Sequence, residues 1–345
     1  MLEGLYDYSG VIHIHTIYSG DSEAHLEDVL TCAKRFDVDF VIITDHNSLE
    51  YKSREGWYDN ILILVGEEVS PPEGNHYLAL DIKELIEPSD PPQRVINRVI
   101  EQGGLGFIEH PFFYGNHHIH PFNITPSPWL DWNVNGFTGL SIFNYTSDGG
   151  ERMRVYTFPI YYAFPGLDKD KPNIHTIKKW NELTSSRSTV GIGTVDAHMY
   201  KVDIGPFRAP AWPFSYYFNS IRTHILSREG LSPKAVYDAI RNGHCYVSHN
   251  YLGSSKGFLF WAESLDSTAI MGDTINFREG IKLRIYSPLK VRFRLLRNGT
   301  SIKEGIGNFL EDTIEVPGVY RVETYIYHRL LWKPWVFTNP IYIRA

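Results

Sequence analysis

Two short strings, far apart in the chain, carry side chains that can bind a metal ion. In the first, His13 and His15 lie two residues apart on an apolar run and Asp21 follows; in the second, Asp196 and His198 lie two apart. Residues two apart in a β-strand project from the same face, so the two histidines are predicted to form a chelating pair. A His-x-His pair alone is weak evidence, but its combination with a distant Asp-x-His indicates metal chemistry.

Potential ligands also stand at the ends of other apolar runs, which cover residues 40–44, 61–66, 77–80 and 106–108. Short runs rich in β-branched residues are typical of strands buried on both faces, as in a parallel sheet. Nitrogen and oxygen ligands suit Zn²⁺, Mn²⁺ or Fe²⁺, and in α/β barrels the active site lies at the C-terminal ends of the strands. The polar residues beside these runs are Asp45, His46, Glu67, Glu68, His76, Glu109 and His110.

These motifs resemble the PHP (polymerase and histidinol phosphatase) superfamily of metal-dependent hydrolases. Four motifs occur in the family's order across roughly residues 8–250: the His-x-His string and residues 43–46, 108–111 and 195–198. The resemblance implies a distorted seven-stranded (β/α) barrel and a cofactor of two or three divalent metal ions, Zn, Mn or Fe. Carried over position by position, the implied metal ligands are His13, His15, Asp21, His46, Glu68, His76, His110, Asp196 and His198.

The same resemblance implies individual roles for these ligands. Glu68 would bridge two ions, and Glu68, Asp196 and His198 are the predicted catalytic residues. The family often has histidine at the position of Asp21, and an oxygen ligand there favours a harder ion. The other ligands divide between two ions: Asp21, His46 and His198 on one, and His13, His15 and Asp196 on another.

Polar neighbours of the implied ligands have other interpretations. Strand alternation sends Glu67 away from Glu68, so a structural hydrogen bond or ion pair is expected for it. Asp45 is expected either to orient His46 or to cap a turn. A loop near the substrate mouth, rather than another metal site, is predicted for the cluster of His117, His118 and His120.

Composition limits the class of protein. A chain of 345 residues can hold one barrel of about 250 residues and a small second domain. The net charge of −7 argues against a nucleic-acid surface, which is normally basic, so a small-molecule substrate is the expected partner. Only two cysteines, Cys32 and Cys245, exclude a disulfide framework and suit a reduced, cytoplasmic protein. We expect no signal peptide and no membrane contact, since no stretch approaches the ~20 apolar residues of a span.

The segments between these motifs predict the remaining elements of the barrel. Apolar spacing predicts a helix over residues 25–36, a second from Pro92 with Val95, Ile96, Val99 and Ile100 facing inward, and a third capped by Ser232. Residues 139–143 and 189–193 complete seven strands. An aromatic-rich insertion at about residues 144–178 is predicted to be either a substrate-shaping lid or a structural flap.

From about residue 258 short alternating segments predict a β-sandwich. They cover residues 282–286, 291–296, 313–316, 320–327 and 335–344, with tight turns at Asn298-Gly299 and Pro317-Gly318. We therefore divide the chain into a barrel at residues 1–253 and an accessory sandwich at 256–345. With residues 139–145 upstream, this arrangement resembles the carbaryl hydrolase-like branch of the superfamily.

The ligand types indicate the reaction. A bound metal ion lowers the pKa of its water towards ~7 and supplies hydroxide as the nucleophile. The leading prediction is a phosphoesterase acting on a small phosphorylated metabolite or nucleotide, with Lys201, Arg208, Arg152 and Arg154 as candidate phosphate contacts. The alternatives are a carboxyl ester, carbamate or amide hydrolase, and a non-catalytic structural or regulatory module.

Overall fold

The computed structural model describes residues 4–116, 125–163, 171–204 and 207–345, with side chains for all of these except 158, 202–204 and 207–209. The predicted loop cluster of His117, His118 and His120 lies outside these ranges. No helix within them is long and apolar enough to cross a membrane. The protein is a mixed α/β, sheet-rich molecule.

Residues 4–253 contain twelve strands and seven α-helices within the described ranges. The strands are β1 (Tyr6–Ile14), β2 (Phe40–His46), β3 (Gly56–Tyr58), β4 (Ile61–Val69), β5 (Tyr77–Leu80), β6 (Leu105–Ile108), β7 (Gly139–Asn144), β8 (Val190–Thr194), β9 (Lys201–Ile204), β10 (Phe207–Pro210), β11 (Ile221–Ser227) and β12 (Cys245–His249). The helices are α1 (Leu26–Arg35), α2 (Pro92–Glu101), α3 (Tyr145–Gly150), α4 (Phe158–Ala163), α5 (Ile174–Ser186), α6 (Phe214–Phe218) and α7 (Pro233–Arg241).

All seven runs predicted to be strands form strands of one sheet, in the order β1-β2-β4-β5-β6-β7-β8. The parallel arrangement is wrong at β5, which runs antiparallel to both β4 and β6. The loop between β4 and β5 spans only residues 70–76, whereas a parallel pair needs a crossover of a dozen residues or more. The reversal puts His76, just before β5, at the sheet edge where β4 ends.

Three strands outside the predicted seven extend the sheet: β3 pairs antiparallel with β4, β11 with β1, and β12 with β11. At the other end, the segment after β8 returns to β1. There Val195 N–H donates to Ile12 C=O at 3.0 Å, and Ala197 exchanges bonds with His13 and His15 at 3.1 and 2.9 Å. Within the described residues no continuous ladder joins β8 to β1, so the sheet is not closed by strand pairing.

The three predicted helices are present as α1, α2 and α7, and Ser232 caps α7 by accepting from Ala235 N–H. One detail is wrong: Ile100 is 52% exposed. At 100° per residue it lies at the margin of the stripe that Val95, Ile96 and Val99 define. The predicted lid is more helical than its composition indicated, since it contains α3, α4 and the start of α5; residues 164–170 of it lie outside the described ranges.

Every regular element in the last ninety residues is a strand. The strands are β13 (Leu259–Glu263), β14 (Thr268–Ile270), β15 (Thr274–Asn276), β16 (Lys282–Arg297), β17 (Thr300–Thr313), β18 (Gly318–His328), β19 (Leu331–Thr338) and β20 (Ile341–Arg344). Segments 282–286 and 291–296 are two halves of one strand, β16, whose register shifts between Tyr286 and Val291. Asn298 and Gly299 form the predicted turn, both with positive φ.

The sequence pattern did not predict strand β17. Its exposed and half-buried positions carry glycine and charged residues, so the segment lacks a regular alternation of apolar residues. The C-terminal strands surround a second core, which includes Phe260, Phe293 and Trp335 and also takes in Leu226 of β11 and Tyr246 of β12. Pairing of β12 with β19 joins them to the first half of the chain.

Asp7 on β1 ties the two halves together. Its carboxylate contacts His224 Nδ1 at 2.7 Å and accepts bonds from the Tyr246 hydroxyl at 2.7 Å and the Gly257 N–H at 2.6 Å. Burial alone would raise the pKa of Asp7, but His224 and these hydrogen bonds outweigh it and hold the pKa below its ordinary value. The ionised carboxylate is therefore part of the folded structure.

Candidate metal centre

The nine implied ligands converge where β1, β2 and β4 end. Three sets of their ligand atoms each lie within 4.8 Å of one another: His15, Asp21, His46 and His198; His13, His15 and Glu68; and His46, Glu68 and His76. The sets share members, so they form one continuous cluster. His110 and Asp196 join it through Glu68 and His15.

Glu68 lies at the centre of the cluster and is 1% exposed. Its Oε2 atom is 2.7 Å from His46 Nδ1, 3.4 Å from His13 Nε2 and 3.5 Å from His15 Nε2. Its Oε1 atom is 3.1 Å from His76 Nδ1 and 3.4 Å from His110 Nε2. One carboxylate thus faces five imidazole rings.

The other two carboxylates border the cluster. Asp21 Oδ2 is 3.1 Å from His46 Nε2 and 3.2 Å from His198 Nε2. Asp196 Oδ1 is 3.2 Å from His15 Nε2 and 3.6 Å from His13 Nε2. Each aspartate thus lies beside the two histidines that the resemblance grouped with it, but His15 also falls in the set of Asp21, and Asp196 also contacts His198 Nδ1 at 3.4 Å.

His13 and His15 meet, with their Nε2 atoms 2.9 Å apart, but strand alternation is the wrong reason. The register between β1 and β2 shifts at His13, whose φ is 76°, and His15 lies beyond the end of β1. A bulge, rather than a regular pleat, therefore aims the first ring. His110 and Asp196 also have positive φ, at 26° and 52°. Backbone strain of this kind concentrates at functional sites.

In some of the rings, the nitrogen that points away from the cluster contacts an uncharged oxygen atom. His15 Nδ1 contacts the Ser19 hydroxyl at 2.7 Å, and His110 Nδ1 contacts the Ser127 carbonyl at 3.1 Å. His198 differs, because its Nδ1 lies 3.2 Å from the Asp196 carbonyl and 3.4 Å from the Asp196 carboxylate. Bonds of this kind fix a ring's orientation and leave the opposite nitrogen free to bind metal.

Glu67 and Asp45 have structural partners. As predicted, Glu67 points away from Glu68, and its Oε2 accepts from Ile86 N–H at 3.0 Å. Burial raises the pKa of Glu67 to about 8. The Asp45 carboxylate accepts hydrogen bonds from the Thr16 backbone N–H at 2.5 Å and from the Thr16 hydroxyl at 2.7 Å. It thus holds the segment after His15 and makes no hydrogen bond with the His46 ring among the described contacts.

The groups of the cluster shift one another's pKa values. Burial would raise the pKa of Glu68, but His13, His46 and His76 hold it well below its usual range. Burial and the nearby His198 lower the pKa of His15 to about 3. Burial also opposes charge on His46, yet Glu68 and Asp21 raise its pKa to about 10. Glu68 is thus held ionised, whereas the neutral form of His15 and the protonated form of His46 are favoured at pH 7.

The donor set fits divalent cations. Glu68 Oε2 and Asp21 Oδ1 are buried and accept no hydrogen bond from the described residues, although ring nitrogens surround Glu68 Oε2. A buried carboxylate without hydrogen-bond donors is costly unless a cation compensates it. Six imidazoles and three carboxylates suit Zn²⁺, Mn²⁺ or Fe²⁺.

Sequence reasoning missed the role of Glu109. This carboxylate is fully buried, and its Oε2 lies 3.5 Å from His13 Nδ1. The signal was present in the chain, because a carboxylate directly before a ligand histidine at a strand end is placed to reach the cluster.

No described contact joins a predicted phosphate-binding side chain to any of the nine ligands. Lys201 Nζ lies 3.5 Å from Glu23 Oε2. Arg152 donates to the carbonyls of residues 171 and 172, and Arg154 donates to those of 151 and 153. The side chain of Arg208 lies outside the described part of the chain.

Aromatic rings stand beside the cluster instead. Tyr200 stacks on His198 with centroids 5.5 Å apart and planes 3° apart, and its side chain is 45% exposed. Phe113 contacts His110 edge-on at 5.8 Å. Both rings contact ligands of the cluster, and neither was singled out from the sequence.

Comparisons with known proteins add little. No protein-family model matches the chain. It is 32% identical over 115 residues to the uncharacterized protein MJ1587 of Methanocaldococcus jannaschii, a match that covers 29% of this chain and 66% of that protein, just under two thirds of its length. A solved structure with some similarity is a two-domain protein containing a predicted PHP-like metal-dependent phosphoesterase from Bacteroides vulgatus. It has 13% identity, a TM-score of 0.47 and coverage of 98% of this chain and 96% of that chain; likeness this small carries no argument.

Proposed function

We propose that this protein is a metal-dependent hydrolase of PHP type. The convergence of nine nitrogen and oxygen ligands around the buried Glu68 carboxylate carries the proposal. The proposal includes a distorted seven-stranded barrel at residues 1–253 and a β-sandwich at 256–345 of the carbaryl hydrolase-like kind. The free thiols of Cys32 and Cys245 support a reducing, cytoplasmic setting.

The cluster would hold two or three divalent ions, with Zn, Mn and Fe as the candidates. Such ions lower the pKa of water and polarise the bond to be cleaved. Glu68 would balance the charge of two ions, which its central position supports. Asp196 and His198, at the other side of the cluster, are the remaining proposed catalytic residues.

We favour a small phosphoester as substrate, because several cations in one site match the charge of phosphoryl oxygens. Lys201 is the proposed additional cation. Its ion pair with Glu23 is on the surface, with the lysine side chain 42% exposed, and such pairs contribute only about 0–1 kcal/mol. The ammonium group can therefore exchange Glu23 for a phosphate. Arg208, Arg152 and Arg154 remain weaker candidates for the same role.

Tyr200 and Phe113 favour an alternative substrate, a carboxyl ester, carbamate or amide. Each ring contacts a ligand histidine, and Tyr200 is open to solvent. Apolar and aromatic walls suit a neutral substrate, since they supply contact area and no counter-charge.

A substrate-class screen tests these proposals. The protein is stripped with a chelator, reloaded separately with Zn²⁺, Mn²⁺ or Fe²⁺, and assayed on a phosphomonoester, a phosphodiester and a carboxyl ester. Phosphoester turnover that needs metal supports the leading proposal, and ester turnover alone supports the alternative. If fully loaded protein hydrolyses none of the three classes, the hydrolase proposal fails in favour of a non-catalytic metal-binding module.

A further inference from the structure

Glu109 is a buried carboxylate with one oxygen, Oε1, fixed by hydrogen bonds. Its Oε1 atom accepts from Asn144 Nδ2 at 2.8 Å and from the Thr194 hydroxyl at 2.8 Å. Both partners are fixed in turn: Asn144 caps α3 by accepting from Ser147 N–H, and Thr194 bonds the Ser141 hydroxyl. The carboxylate therefore has a single orientation, set by the ends of β7 and β8.

The other oxygen of Glu109, Oε2, faces the imidazole ring of His13. Glu109 Oε2 lies 3.5 Å from His13 Nδ1, both residues are 0% exposed, and neither atom has a hydrogen-bond partner among the described residues. On the far side of the ring, His13 Nε2 faces His15, Glu68 and Asp196. His13 thus stands between a carboxylate and the cluster.

A histidine that binds metal through Nε2 must carry its proton on Nδ1. A carboxylate opposite Nδ1 favours that tautomer, orients the ring and makes Nε2 a stronger donor. His15 and His110 have neutral oxygens at Nδ1 instead. His198 Nδ1 lies 3.2 Å from the Asp196 carbonyl and 3.4 Å from its carboxylate, but Asp196 is itself an implied ligand. His13 also has a φ of 76°, so its backbone does not hold the ring in an ordinary strand geometry.

We infer that Glu109 is the positioning residue for His13: it holds the ring in the Nδ1–H tautomer, so that Nε2 is presented to metal. The inference rests on the proposed metal centre. Among the described contacts, His13 is the implied ligand whose side chain lies within 3.5 Å of the Glu109 carboxylate, and no other ligand side chain does. The carboxyl ends of β6, β7 and β8 are thereby linked to the first ligand on β1.

Glu109→Gln tests the inference. The amide oxygen can still accept from Asn144 and Thr194, but the amide NH₂ then faces His13 Nδ1 and donates instead of accepting. Glu109→Asp keeps the acceptor as the conservative variant. Glu67→Gln is the matched control, because Glu67 is equally buried but lies away from the cluster.

Two measurements are made on the full-length protein. Competition of Co²⁺ against a chelator gives metal affinity and the visible absorption spectrum. In the Zn²⁺-loaded protein, ¹⁵N NMR reports which nitrogen of His13 carries the proton and which binds the metal. We expect Glu109→Gln to weaken Co²⁺ binding by about 10–100-fold, change its spectrum and shift His13 away from the Nδ1–H tautomer, and Glu109→Asp to restore most of the loss.

The outcomes separate this inference from the proposed function. If the wild-type protein binds no Co²⁺, the metal centre itself is refuted. If wild type binds Co²⁺ and Glu109→Gln binds it equally well with an unchanged His13 tautomer, the positioning role is refuted while the metal centre stands. Equal losses in Glu109→Gln and Glu109→Asp also refute it, because the acceptor oxygen would then be irrelevant.

Discussion

Glu68→Gln changes one buried charge at the centre of the cluster and leaves its shape almost unaltered. The two oxygens of Glu68 face five imidazoles at 2.7–3.5 Å. A unit charge about 4 Å from a cation contributes about 4 kcal/mol at an effective dielectric constant of about 20. Since ~1.4 kcal/mol is a tenfold change in rate, we expect turnover to fall by ~10³-fold or more, as when a principal electrostatic stabiliser is removed.

Glu67→Gln is the control one residue away. Glu67 is as buried as Glu68, but its carboxyl accepts from Ile86 N–H on the other side of β4. Burial raises the pKa of Glu67 to about 8, so this carboxyl is mostly neutral at pH 7. Glutamine therefore replaces a neutral group with a neutral group, and we expect little change in activity or metal content.

Initial rates on the best substrate of the screen and metal content by elemental analysis are measured for both variants. Circular dichroism checks that each one folds. A fall in turnover and metal content confined to Glu68→Gln supports the assignment. Equal effects from the two substitutions, or full turnover in Glu68→Gln, would refute the bridging role.

Three further predictions concern the metals, the substrate and the link between the two halves. Purified wild-type protein should hold at least two divalent ions per chain, and a chelator should lower its midpoint of thermal unfolding because ions bind only the folded cluster; elemental analysis finding less than one ion contradicts this. Lys201→Ala should lower phosphomonoester turnover by ~10- to 10³-fold and leave carboxyl ester turnover unchanged; an unchanged phosphomonoester rate would show that Lys201 is not the additional cation. Asp7→Asn should lower the free energy of unfolding at pH 7 by ~1–3 kcal/mol, measured by urea titration. Because the pKa of Asp7 is lowered in the folded state, the wild-type advantage should shrink as pH falls below ~4; an advantage that persists there would show that the Asp7 charge is not its source.

Much of the site was predictable from local sequence patterns. Period-two and continuous apolar runs predicted the strands, and the 3.6-residue spacing predicted α1, α2 and α7, because both patterns reflect which faces must be buried. Ligand residue types at strand ends then indicated a metal site, and the resemblance to the PHP superfamily implied which nine side chains would meet. Strand alternation also separated Glu67 from Glu68, since neighbouring residues in a strand face opposite sides.

Chain segments distant in sequence decided the rest. The direction of β5 depends on how a short loop can pair its strand, and the aim of His13 depends on a bulge opposite β2 and on the segment after β8. Glu109 acquires its place behind His13 only when β6 packs beside β7 and β8. Composition and spacing specify residue types and local periodicity, whereas pairing, register and backbone strain arise from contacts that form only in the folded chain. The sequence by itself therefore determined which side chains could bind metal, and the tertiary structure decided how each ring is aimed and what holds it.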